Sequence, residues 1–124
     1  MEKIIWIAVA GALGSVARYG VATYVQNRTE SAFPYGVFAA NMIGSFLFGF
    51  LWAYSEDHGW VSEQMRAFAF AGFLGAFTTF STFAFDNANL AKVSSWNYFT
   101  LNIVLTNVVG IALALAGLKA GKLV

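Results

Sequence analysis

Four long apolar stretches, separated by short clusters of charge, constrain this chain more than any other feature of it. They are read at residues 4–25, 35–54, 67–91 and 96–118. The first is interrupted only by Arg18. Pro34 opens the second, and the polar segment Glu56-Asp57-His58-Gly59 closes it. Within the third, residues 67–85 carry no charge and Asp86 stands at the margin. Lys119 and Lys122 close the fourth. A helix crosses the hydrocarbon core of a bilayer in roughly 20 residues. Each stretch is long enough, so the expectation is an all-α integral membrane protein with four transmembrane helices, one domain over residues 1–124. The short connections make consecutive helices antiparallel neighbours.

Composition agrees. Only 10% of the residues are charged, against about 25% in soluble domains. Trp6, Tyr24, Tyr35, Trp52, Tyr54, Trp60, Trp96 and Tyr98 fall near the ends of the stretches, where amphipathic rings prefer to lie. Membrane lipid is therefore an expected partner. A net charge of +1 gives no reason to expect nucleic acid. Cysteine is absent, which excludes disulfides and thiolate metal sites. A cleaved leader is disfavoured, because the first run lacks a small-residue cleavage exit and three similar runs follow.

Positive residues divide weakly between the two sides. Four spans put both termini and the middle loop on one side, with Lys3, Arg66, Lys119 and Lys122. Arg28 and Lys92 lie on the other. Positive charge normally marks the cytoplasmic side. So slight a bias permits insertion both ways up, and hence an antiparallel dimer. Small residues at helix-contact spacing, such as Ser45 and Gly49 or Gly110 and Ala114, let backbones approach closely.

The third stretch is unusual. It reads Gly72-Phe73-Leu74-Gly75-Ala76-Phe77-Thr78-Thr79-Phe80-Ser81-Thr82-Phe83. Glycines followed by β-branched threonines make a poor helix interior. A continuous helix is one solution, its hydroxyls bonding back to i−4 carbonyls. A broken helix is the other. A break frees N–H groups that attract anions and carbonyls that hold a cation. Phe80 and Phe83 share a face. They either meet lipid or offer positive ring edges to an anion. Arg18, Asn41, Asn102 and Asn107 are polar and in or near spans, where such residues face a bundle interior or a watery cavity. No carboxylate lies deep in a span, so a proton relay is not expected, and no catalytic constellation is present: the chain is not read as an enzyme.

These residues carry a resemblance. Gly11-Ala12-Leu13-Gly14 with Arg18-Tyr19, Gly36 with Asn41 and Gly44, and above all Gly72-Phe73-Leu74-Gly75 followed by Thr78-Thr79-Phe80-Ser81-Thr82-Phe83 resemble the Fluc (CrcB) fluoride channels of bacteria over essentially the whole length. The resemblance implies an antiparallel, dual-topology homodimer with two pores in the bacterial inner membrane, passing fluoride passively out of the cell. It implies that Phe80 and Phe83 line the pore, with Asn41, Ser81 and Thr82 beside it and Arg18 near its mouth. It implies a structural sodium ion at the dimer interface, held by carbonyls of Gly75 and Thr78. Asn107 stands where relatives often have serine, and Ile103 where some have tyrosine. A small dual-topology multidrug exporter has similar length. It should carry a carboxylate deep in its first helix, where this chain has only Arg18.

Overall fold

A computed structural model describes residues 1–124. The chain is helical, in the order α1 (Glu2–Gln26), α2 (Tyr35–Asp57), α3 (Glu63–Arg66), a π-helical stretch (Ala67–Leu74), α4 (Gly75–Phe77), α5 (Phe80–Lys92) and α6 (Trp96–Leu123). Grouped by continuity, these make four segments long and apolar enough to cross a membrane: Glu2–Gln26, Tyr35–Asp57, Glu63–Lys92 and Trp96–Leu123. Each runs slightly past the apolar stretch that marks it. Asp86 does not end the third, which continues to Lys92.

Local chemistry explains the ends. Pro34 occupies the N-cap of α2, where its missing N–H costs nothing. Ser62 accepts a hydrogen bond from the Met65 N–H (3.1 Å) and caps α3. Between α5 and α6, Ser94 adopts φ 60°, the one non-glycine residue in the left-handed region, and reverses the chain tightly. The connection from α1 to α2 is pinned by Gln26. Its Nε2 donates to the carbonyls of Ser31 and Phe33, and its Oε1 accepts from the Gly36 N–H at 2.9 Å. Phe33 is buried there among Tyr35, Phe38 and Tyr98.

The helices pair in two layers. α2 lies along α6 in the most extensive contact of the fold, and α1 packs on the π-helical stretch and α4. Backbone touches backbone in both pairs. A Cβ at Gly49 would strike the Ala114 carbonyl, and one at Gly14 would strike that of Phe73. Without a hydrophobic drive between helices in lipid, such close approach supplies the dispersion contact that holds them.

The apolar surface is turned outward. Only 19 of 124 residues are buried, and Ile4, Val16, Val108, Ile111 and Leu115 are all exposed. This inversion suits a lipid surround.

Candidate functional site: the helix break and its groove

The third span is interrupted at Thr78 and Thr79. Both are extended, with φ −98°, ψ 149° and φ −147°, ψ 126°. A continuous helix is thus excluded, although one feature of it survives: the Thr78 hydroxyl donates back to the Leu74 carbonyl at 3.0 Å. The π-helical turns just upstream were not legible in the sequence. Such turns are often found at functional sites.

Each backbone group released by the break has a traceable fate. In an unbroken helix the Thr79 N–H would reach the Gly75 carbonyl. Here it goes to Asn41 Oδ1, at 3.0 Å. The Asn41 Nδ2 donates in return to the Thr79 carbonyl, at 3.3 Å. The Thr82 N–H would have reached the Thr78 carbonyl. It donates instead to Thr79 Oγ1 (3.4 Å), which caps α5. The carbonyls of Gly75 and Thr78 therefore lose their helical donors to Asn41 and Thr79. They are the two groups that the resemblance assigns to a cation. Backbone oxygens are ligands that suit a hard cation such as sodium. Gly75 is exposed on the surface of the chain. The residues present fit such an ion.

Arg18 lies on the other side of the break. Its Nε donates to the Ala76 carbonyl at 3.1 Å. A cation is favourable at the C-terminal end of a half-helix, where carbonyl dipoles converge. α1 thus secures the first half of the third span while α2, through Asn41, secures the start of the second.

A groove of about 800 Å³ runs beside the break, between α2, α5 and α6. Asn41, Thr78, Thr79, Phe80, Phe83 and Asn107 line it, and none of its 15 lining residues is charged. The rings of Phe80 and Phe83 stand 5.8 Å apart, tilted by 54°. Phe80 is 78% exposed. Ser81 and Thr82 sit on the first turn of α5 but outside the groove lining, bonded to Thr79 Oγ1 at 3.1 and 3.4 Å. Asn107 turns its Nδ2 to the Ile103 carbonyl of its own helix, at 2.7 Å. Ile103 is exposed and outside the groove. So the break collects Asn41, Phe80, Phe83 and Asn107 on one surface, and Arg18, Ser81 and Thr82 fall away from it.

Two further polar residues went unnoticed or unplaced. Asn87 of α5 and Asn102 of α6 are buried and bonded to each other at 3.0 Å. Asn102 was visible only as a polar residue in a span. Asn87 lies past Asp86, where the apolar signal fades.

Comparison with known proteins agrees with this architecture. The family model described as CrcB-like protein, Camphor Resistance (CrcB), matches residues 5–118. A protein of Desulforapulum autotrophicum is 42% identical over 99% of this chain and 98% of its own length. One from Nitratidesulfovibrio vulgaris is 42% identical over the whole of both chains. One from Parabacteroides distasonis is 38% identical over 98% of this chain and 94% of its own. Each of the three is named fluoride-specific ion channel FluC. With a family model across nearly its full length and relatives of this closeness, the chain belongs to the CrcB family.

Proposed function

We propose that this chain is a passive fluoride channel of the bacterial inner membrane. The observation that carries the reading is the groove: phenyl rings, an asparagine amide and a half-helix N-terminus on one uncharged surface. The near-identical length of relatives named fluoride-specific ion channels supports it.

The chemistry follows from the ion. Fluoride enters a cell as neutral HF from acid surroundings and ionises inside. No ion gradient need be coupled to its exit, because a negative interior drives an anion outward by about 2.3 kcal/mol per charge per 100 mV. The path must replace tightly held water. Asn41 keeps a second Nδ2 hydrogen after serving Thr79. The positive edges of Phe80 and Phe83 add attraction without a full charge. An uncharged path lets the ion leave quickly. Arg18 acts by fixing α4, and Ser81 and Thr82 by shaping the first turn of α5.

The reading includes an antiparallel, dual-topology homodimer. A single subunit leaves Phe80 exposed and the groove open along one side. A second copy would close it against water and lipid. Sodium, held by Gly75 and Thr78 carbonyls of both subunits, would supply a fixed positive charge at that seam. The multidrug-exporter alternative is set aside: the only carboxylate of α1 is Glu2, in its first turn.

Purified protein in liposomes loaded with potassium fluoride tests the function. With valinomycin present, a fluoride electrode should record rapid efflux, and chloride-loaded liposomes should stay tight. No fluoride efflux, or equal chloride efflux, would refute the reading.

A further inference from the structure

The half-helix α5 carries Phe80 and Phe83, yet little packing holds it. Asn87 and Leu90 are its only buried residues. One of these two anchors is polar. Asn87 Oδ1 accepts from Asn102 Nδ2 at 3.0 Å, and Asn102 Oδ1 accepts from the Thr106 hydroxyl at 3.1 Å. Asn102 is 2% exposed. Phe80, Phe83 and Asn87 follow at spacings of three and four, one stripe along a helix. The anchor and the rings are therefore on the same side of α5. Thr106, at the far end of the chain of bonds, lines the groove with Phe80 and Phe83.

A hydrogen bond between buried amides differs from apolar contact in one respect. Apolar surfaces slide past each other at small cost. An amide pair holds at one axial position and one rotation only, because a shift leaves donor and acceptor unsatisfied in a medium without water. One buried polar residue can fix the register of packed helices in this way.

We propose that the Asn87–Asn102–Thr106 chain is the register pin of α5 against α6, making Asn87 and Asn102 positioning residues that set where Phe80 and Phe83 stand across the groove. Neither asparagine needs to touch the ion. Asn41 fixes the start of α5 at Thr79, and this chain fixes its far half. Two fixed points define the tilt and rotation of a 13-residue helix.

The proposal rests on the fluoride-channel reading, and its test keeps the two apart. Asn87→Leu, Asn102→Leu and the double leucine chain are purified, and each is measured for dimer elution, melting temperature in detergent, and fluoride and chloride efflux from liposomes beside wild type. Each single exchange strands one amide, so both stability and flux should fall. The double exchange buries two apolar side chains and strands neither amide. It frees only the Thr106 hydroxyl, which can bond back to the i−4 carbonyl of its own helix. Such a replacement can be neutral or stabilising. Its melting temperature should return toward wild type while fluoride flux stays about tenfold or more below it. That split identifies positioning. Recovery of flux together with stability overturns the proposal, as does wild-type flux in either single chain. So does failure of all three variants to form dimers, since the pair would then hold the fold as a whole. Absence of fluoride efflux from wild type itself strikes the channel reading, and the positioning role falls with it.

Discussion

Asn41 and Thr79 are joined twice, the side-chain amide of one accepting from the backbone N–H and donating to the backbone carbonyl of the other, at 3.0 and 3.3 Å. The pairing imitates the reciprocal bonding of two opposed strand residues, here with a side chain as one partner. It lets an extended residue exist at mid-span, where an unpaired backbone group is costly. A polar residue that the resemblance places beside a pore thus also holds the helix break in place.

Asn41→Ala should therefore damage the fold as well as the path. It strands the Thr79 N–H and carbonyl, each worth about 1–3 kcal/mol when left unsatisfied. A fall in detergent melting temperature with loss of fluoride flux is expected. Asn41→Asp keeps the acceptor and loses the donor. It should melt higher than the alanine chain, yet conduct no better, because it sets a negative charge in the groove. An Asn41→Ala chain as stable as wild type would contradict the double bond.

Thr79 caps α5 through its hydroxyl. Thr79→Ala should lower stability by about 1 kcal/mol, and Thr79→Ser should retain most of it. Thermal or denaturant unfolding of the reconstituted protein reads the difference. Equal stability of the alanine and serine chains would show that the cap contributes nothing.

Close helix contact predicts a harsher outcome at Gly49, whose added Cβ would meet the Ala114 carbonyl. Backbone cannot move aside as a side chain can, and overpacking costs about 1–3 kcal/mol or more. Gly49→Val should abolish recovery of folded protein, whereas Gly20→Ala, with open space around it, should be neutral. Size-exclusion profiles compare the two directly.

Much of this was legible beforehand, for identifiable reasons. The four spans announce themselves because lipid requires long apolar runs, although a single charge does not end one, as Arg18 and Asp86 show. The break was one of two solutions left open, because the glycines and β-branched threonines of residues 72–79 disfavour a helix without excluding one. Ser81, Thr82 and Arg18 were harder. The resemblance sets Ser81 and Thr82 beside a pore and Arg18 near its mouth; in the structure Ser81 and Thr82 bond Thr79 Oγ1, and Arg18 bonds the Ala76 carbonyl. Which neighbour wins a polar group depends on packing between segments 58 residues apart, as for Arg18 and Ala76. The π-helical turns and the Asn87–Asn102 bond were invisible for the same reason: tertiary contact selects them, and no local pattern encodes it.

Dual topology has a plain readout. Four spans put both termini on one side of the membrane. Single cysteines introduced at position 1 or position 124 of this cysteine-free chain should be labelled by an impermeant reagent from outside and, in a separate fraction, only after permeabilisation. Labelling confined to one side would rule out insertion both ways up.

The proposed fluoride path runs along Phe80 and Phe83, whose rings stand 5.8 Å apart in the groove. Isoleucine keeps an apolar side chain but removes the positive ring edge. Fluoride efflux from liposomes, at matched protein density, should fall by about tenfold or more in Phe80→Ile and in Phe83→Ile, with dimer elution unchanged. Methionine at either position should conduct better than isoleucine, being polarizable and adaptable. If the rings merely face lipid, any apolar side chain serves equally well, and wild-type efflux in both isoleucine chains would contradict the claim.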